Sequence, residues 1–471
     1  MKRLVAITLT LLAGCAVGPD YRRPAATTNI PTAYAGWKIA EPQADRPKGK
    51  WWEMFGDPEL NRLETEAAGA NQELKIAVAV FDQARASADI TRAGLFPNLS
   101  LDPTATRQRN SNNMPVNGAN QGISYNTFTM LLTAGYEVDL WGRVRRTVES
   151  ARAQAQASAD DLESVKLAIQ AEVATDYFTL RALDADIVLL RSSVDVFRKS
   201  LELTRNRRAG GVASDLDVAQ AETILKTTEA QLPATQLQRA KFEHALALLT
   251  GQPASVFTLP EQPLRSVSPV IPPGLPSELL ERRPDIAAAE LRMAVANAQV
   301  GVAKAAFFPT LKFNGLAGLQ SMDAGVLFNW PSRMWAAGPS LTLPIFAGGQ
   351  LTAALRQARS AYDQTVAFYR QTVLAAFADV EDNLAAQTLL AAEHEQQTAA
   401  LAAARKQLDI ATNRYRSGLV TYLEVATAQN IALQQERTVI SLHGARLATT
   451  VALVKSLGGG WEIENEKTAK K

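Results

Sequence analysis

Residues 126–143 read NTFTMLLTAGYEVDLWGR, and this stretch decides the fold. Its first part alternates. Phe128, Met130, Leu132, Ala134, Tyr136 and Val138 fall on one face; Thr127, Thr129, Thr133 and Glu137 fall on the other. Side chains of a β-strand point alternately to its two sides, so this is a strand with one apolar and one polar face. The alternation stops at Asp139-Leu140-Trp141-Gly142, a strand-to-helix junction with Trp141 placed for a membrane interface. From Arg143 to Ala209 there is neither glycine nor proline. Strong helix formers dominate that span. As one continuous helix it would be about 100 Å long. Apolar residues recur on it at helical spacing, as at Leu162, Val165, Ile169, Val173, Tyr177 and Leu180.

Outward from this stretch the same order of elements recurs. Asn71–Leu99 aligns on Arg283–Leu311 without gaps, placing Ala77, Ala84, Phe96, Pro97 and Leu99 on Ala289, Ala296, Phe308, Pro309 and Leu311. Further on, Asn206, Arg207, Gly211, Leu216 and Val218 fall on Asn413, Arg414, Gly418, Leu423 and Val425. A duplication of this kind organises a chain before any motif does. The first copy takes residues 57–259, with strands expected at 98–108 and 125–139. A proline-rich linker follows at 260–276. The second copy takes 277–461, with strands at 310–320 and 335–346, and a polar tail closes the chain at 462–471. Each copy also holds a long helix, Arg143–Ala209 and Gln350–Ser417, then a tight tip at 209–215 or 416–422, then a return helix. The helices alone would suit a coiled-coil scaffold.

The beginning of the chain weighs against a scaffold. Lys2 and Arg3 precede an apolar run, Leu4–Leu12, too short to span a bilayer, so residues 1–14 are expected to be a signal peptide. Leu12-Ala13-Gly14-Cys15 is the cleavage pattern of a lipoprotein. Cys15 is the only cysteine, which rules out an internal disulfide and leaves it as the lipid attachment residue. Acyl chains anchor a protein by burying CH₂ groups at about 0.8 kcal/mol each. Ala16 is not the aspartate that favours inner-membrane retention, which points to the outer membrane. Residues 15–56 then form a lipidated extended segment. Without Lys2 and Arg3 the 49 basic residues become 47, against 47 acidic ones, so net charge gives no drive toward nucleic acid. No apolar stretch is long enough for a transmembrane helix, so a spanning structure has to be a closed β-barrel.

Alternating strands with an apolar outside and a polar inside are the signature of such a barrel with a wet lumen. Four strands cannot close one, because the smallest membrane barrels have about eight. The chain therefore has to oligomerise, with dimers giving eight strands and trimers twelve.

Several motifs then carry a resemblance. They are Cys15-Ala16-Val17-Gly18-Pro19-Asp20-Tyr21, Trp51-Trp52 with Phe55, Asp57-Pro58-Glu59-Leu60, Asp139-Leu140-Trp141-Gly142-Arg143, Arg282-Arg283-Pro284-Asp285-Ile286 and Leu457-Gly458-Gly459-Gly460-Trp461. In this order they resemble the outer-membrane efflux proteins, the TolC-like channels of the NodT-type lipoprotein branch. The resemblance implies an α+β membrane protein: a homotrimer with a twelve-stranded barrel continuous with a long periplasmic α-helical barrel. It also implies two partners, a periplasmic adaptor and an inner-membrane transporter of the resistance-nodulation-division type. Apart from the lipid on Cys15, no cofactor or metal is expected.

The hairpin tips hold the candidate site. Gly211 and Gly418 read as residues that end helices, while Ser214 and Thr421 read as N-caps with Asp217 and Glu424 in capping-box position. In related channels an apolar and an acidic residue, one helical turn apart, ring the periplasmic mouth. The resemblance places the apolar one at Leu423 and the acidic one at Thr427, where threonine carries no charge. Carboxylates from Asp215, Asp217 or Glu424, with Tyr415 and Arg414 beside them, complete the expected aperture, whose closure rests mainly on Leu423. The plainer alternative is that Leu423 packs between helices and the charges only cap. His244, His394 and His443 read as isolated, and Glu393-His394-Glu395 lacks the second histidine of a zinc motif. No Gly-rich phosphate loop follows a strand, so an enzyme is not expected. A periplasmic adaptor would show β-rich flanking domains, and a passive porin would lack the long helices.

Overall fold

A computed structural model describes residues 16–25, 49–111, 124–264, 269 and 283–459. Cys15, Arg282, Gly460, Trp461, the tail and most of the linker lie outside these residues. The chain divides into two compact units, one formed by residues 1–26, 80–159 and 288–370, the other by 27–79, 160–287 and 371–471.

The first unit holds the sheet. Its strands are β1 (Asn98–Arg109), β2 (Ser124–Val138), β3 (Thr310–Ser321) and β4 (Arg333–Thr342), antiparallel in that order. Ser100 lies opposite Thr133, and Leu101 opposite Leu132, so each pair keeps like residues on one face. The apolar face stays exposed, with Leu101 at 60% and Trp335 at 78%. β4 departs from expectation: it begins two residues before Trp335 and stops at Thr342 rather than at residue 346. Pro344, which has no N–H to donate to a ladder, lies just beyond that end. Pro339 lies within β4 opposite Phe313. The segment between β3 and β4 folds into two 3₁₀ turns, Ala324–Val326 and Trp330–Ser332.

The second unit is helical. A 3₁₀ turn, Trp51–Phe55, precedes α1 (Pro58–Ala70). Asp57 caps α1 by accepting from the N–H groups of Glu59 and Leu60, and Pro58 takes the first helical position, where its missing N–H costs nothing. The Asp57 carboxylate also accepts from the Tyr177 hydroxyl at 2.8 Å. Trp51, Phe55, Leu60, Phe178, Leu246 and Val451 belong to one core cluster. Helix α2 (Gln72–Ala93) leads toward β1, and α5 (Pro284–Ala305) leads toward β3. The long helices are α3 (Arg143–Ala209) and α6 (Gln350–Arg416), each unbroken. Their return partners are α4 (Asp215–Leu249) and α7 (Tyr422–Ser456). A second core cluster, with Leu190, Phe197, Leu225, Tyr415 and Tyr422, lies under the hairpin tips.

Arg283 is more than a solvated charge. It bonds Asp285 at 2.7 Å and the Ser456 carbonyl at 3.0 Å, and reaches Asp379 at 3.3 Å, tying the start of α5 to the end of α7.

Candidate functional site

Both hairpins turn the same way. Gly211 and Gly418 each have φ of +74°, a left-handed conformation that side chains resist. The N–H of Val212 returns to the Arg207 carbonyl at 2.8 Å, and that of Leu419 to the Arg414 carbonyl at 3.0 Å, closing each helix end.

The restarts differ. Ser214 caps α4 in a complete capping box: its hydroxyl receives the Asp217 N–H, and the Asp217 carboxylate receives the Ser214 N–H at 2.9 Å. Thr421 occupies the matching position without a side-chain cap, so the expected second box is absent. Glu424 turns away instead, to Arg414 at 3.5 Å. The missing acceptor comes from the other hairpin: Asp217 Oδ1 takes the N–H of Tyr422 at 3.2 Å. One carboxylate thus caps two helices. Burial works against its charge, but the bonds from Ser214 and Tyr422 and the nearby Arg207 win, holding its carboxyl below the usual range.

Aromatic and basic groups complete the clasp. Tyr415 and Tyr422 pack edge to face with centroids 5.4 Å apart. The Arg207 guanidinium lies 4.8 Å from the Tyr415 ring centre and donates to the Arg416 carbonyl at 3.1 Å. Tyr415 is therefore buried in the hairpin interior, not displayed at an aperture. Arg208 pairs with Asp215, an exposed contact. Leu423 is 55% exposed. With Thr427, Ile410, Lys406 and Arg414 it lines a shallow groove between α6 and α7.

The junction residues serve a second attachment. The Trp141 indole N–H donates to the Pro309 carbonyl at 2.8 Å, and its ring stacks on Phe308, so it fastens the repeat's Phe-Pro corner. Gly142 has φ of +81°, and a Cβ there would sit 2.8 Å from that of Ala16. Beyond Ala16, Val17 bonds the Trp141 carbonyl and Asp20 pairs with Arg146 at 2.6 Å. The residue next to Cys15 is thereby fixed at the strand-to-helix junction.

His394 and His443, read as isolated, in fact face each other across α6 and α7, with ring centres 6.4 Å apart. Burial, Arg446 and His443 together lower the pKa of His394.

A sheet with an exposed apolar face and a polar opposite face, joined to long helical hairpins, defines a membrane-channel subunit. Residues 63–252 and 275–459 match the family described as outer membrane efflux protein. The chain is 34% identical over 463 residues to a toluene efflux pump outer membrane protein, TtgC, of Pseudomonas putida, covering 97% of this chain and 95% of that one. It is 34% identical over 477 residues to a pyoverdine export outer membrane protein, OpmQ, of Pseudomonas aeruginosa, covering 100% and 99%. The fold superposes on the CmeC outer membrane channel of Campylobacter jejuni with a TM-score of 0.87 at 25% identity, covering 96% of each chain. The chain belongs to the outer membrane efflux protein family. It is an outer-membrane efflux channel protein with a periplasmic helical extension, and its fold is that of the trimeric α+β barrels.

Proposed function

We propose that this channel is the passive exit duct of a tripartite pump, carrying small toxic molecules from the periplasm to the exterior. A periplasmic adaptor docks on the helical hairpins, and an inner-membrane transporter of the resistance-nodulation-division type drives the cargo. A lipid on Cys15 anchors the chain beside the barrel. Toluene and pyoverdine, named for two relatives, are both small molecules, which supports this cargo class.

The observation that carries the reading of the mouth is the tip itself. Leu423 stands exposed while Glu424 beside it is paired with Arg414 and Asp215 with Arg208, so closure depends on a narrow apolar ring, which gates by dewetting. Asp217 holds the two hairpins in the resting arrangement. Replacing Leu423 by Ser should raise single-channel conductance in planar bilayers and sensitise cells to large antibiotics. Unchanged conductance in Leu423→Ser, with an open channel in Asp215→Ala, would move the gate to the acidic residues.

A further inference from the structure

The polar face of the sheet carries few charges. A shallow concavity on it is lined by Asn98, Ser100, Thr133 and Asn314. Asp102 lies on this face of β1, opposite Leu131. Two hydroxyls hold its carboxylate: Thr133 Oγ1 donates to Oδ2 at 3.0 Å, and Ser100 Oγ lies 3.2 Å from the same oxygen. Among the described residues no lysine or arginine pairs with it.

The other charges of this face stand at one level. Glu137 and Lys312 are partners in register, and Glu137 is also held by Arg143 at 2.8 and 2.9 Å. Along β2, Leu131 to Glu137 is six residues, about 20 Å. That is about two Debye lengths at 0.1 M salt. Toward the other end, Asn110–Ile123 contains no ionisable side chain. Arg107 shares the opposite face with Leu99 and Leu101, and Asp323 is turned to its own loop, accepting from the Gly325 N–H.

We propose that Asp102, repeated three times around the barrel, forms an acidic ring in the lumen that makes the exit duct favour cations, small inorganic ones and cationic cargo alike. This rests on the chain supplying a third of a closed barrel. Twelve strands about 4.8 Å apart, tilted by about 40°, give a backbone radius of roughly 12 Å. Side chains narrow the lumen further, so its axis lies within about one Debye length of the ring at 0.1 M salt. At 1 M the Debye length is about 3 Å, and the ring's field no longer reaches the axis. The selectivity is therefore a property of dilute salt, as expected of fixed charges that steer ions without binding them tightly.

The test is the reversal potential of the purified full-length protein in planar bilayers under a KCl gradient. Near 0.1 M the wild type favours K⁺ over Cl⁻. Asp102→Asn, which keeps an acceptor for both hydroxyls, lowers that permeability ratio roughly threefold or more. Asp102→Lys inverts it, Asp102→Ser behaves like Asp102→Asn, and Asp323→Asn leaves it unchanged. Near 1 M these differences shrink toward zero. Conducting Asp102→Asn channels with an unaltered reversal potential at 0.1 M would overturn the proposal while leaving the channel intact. A wild type that forms no pores would overturn the closed barrel itself, and the ring with it.

Discussion

Glu64 is 1% exposed on α1, and neither of its carboxylate oxygens has a hydrogen-bond partner among the described residues. Burial pushes its carboxyl up to about 9. The folded-state value is thus above the unfolded one, so its contribution to stability is fully present only below the ordinary carboxylate range. That contribution is lost as pH rises toward the folded value, with a slope of up to about 1.4 kcal/mol per pH unit. Glu64→Gln should remove most of this slope, and melting of the purified protein between pH 5 and pH 9 reads it directly. Equal slopes for the two proteins would show that Glu64 has a partner after all. Nothing in the segment Pro58–Ala70 announces this burial, because glutamates recur along it and only packing decides which one faces inward. Cys15 is the opposite case: its role is read from its neighbours in sequence, and it lies outside the described residues. Cys15→Ser should lose a metabolically incorporated radioactive fatty acid while trimers still form. Label retained by that variant would remove the lipoprotein assignment.

Hairpin ends were readable because their chemistry is local. A glycine with positive φ and a polar cap three residues later fit within one short stretch, and both tips fall where that spacing puts them. The repeat suggested two equal capping boxes, yet only the first forms. Asp217 reaches Tyr422, a residue 205 positions away, and no local pattern carries such a contact. The meeting of His394 and His443, 49 positions apart, is equally invisible to a local pattern. Alternation continues through Leu343 and Ile345 beyond the end of β4 at Thr342, but Pro344 between them has no N–H to give to a ladder. The unequal tips predict unequal mutants. Asp217→Ala removes an N-cap box and the acceptor of the Tyr422 N–H, costing roughly 1–2 kcal/mol per chain. Glu424→Ala breaks an exposed ion pair worth about 0–1 kcal/mol. Hydrogen exchange should therefore speed up at both tips in Asp217→Ala and hardly change in Glu424→Ala. Acceleration confined to the first tip would mean that the bond to Tyr422 carries no weight.

Within one chain β1 and β4 are each paired on one side only, and a sheet edge exposed to lipid leaves backbone groups unsatisfied at several kcal/mol each. Trimer closure removes those edges, which is why a channel with four strands per chain depends on assembly. The two faces of the strands then meet different solvents, and adjacent positions on β1 separate them. Leu101 faces outward with Leu99, while Thr104 shares the polar face with Ser100 and Asp102. An arginine facing lipid costs up to about 2–4 kcal/mol, depending on its depth, and a trimer carries three. Leu101→Arg should therefore reduce the yield of assembled trimer in the outer membrane, seen as lost heat-resistant oligomer on gels. Thr104→Arg places the same charge in a wet lumen. It should assemble at near wild-type yield and change conductance instead. Equal loss of trimer in both variants would mean that the alternation does not divide lipid from water.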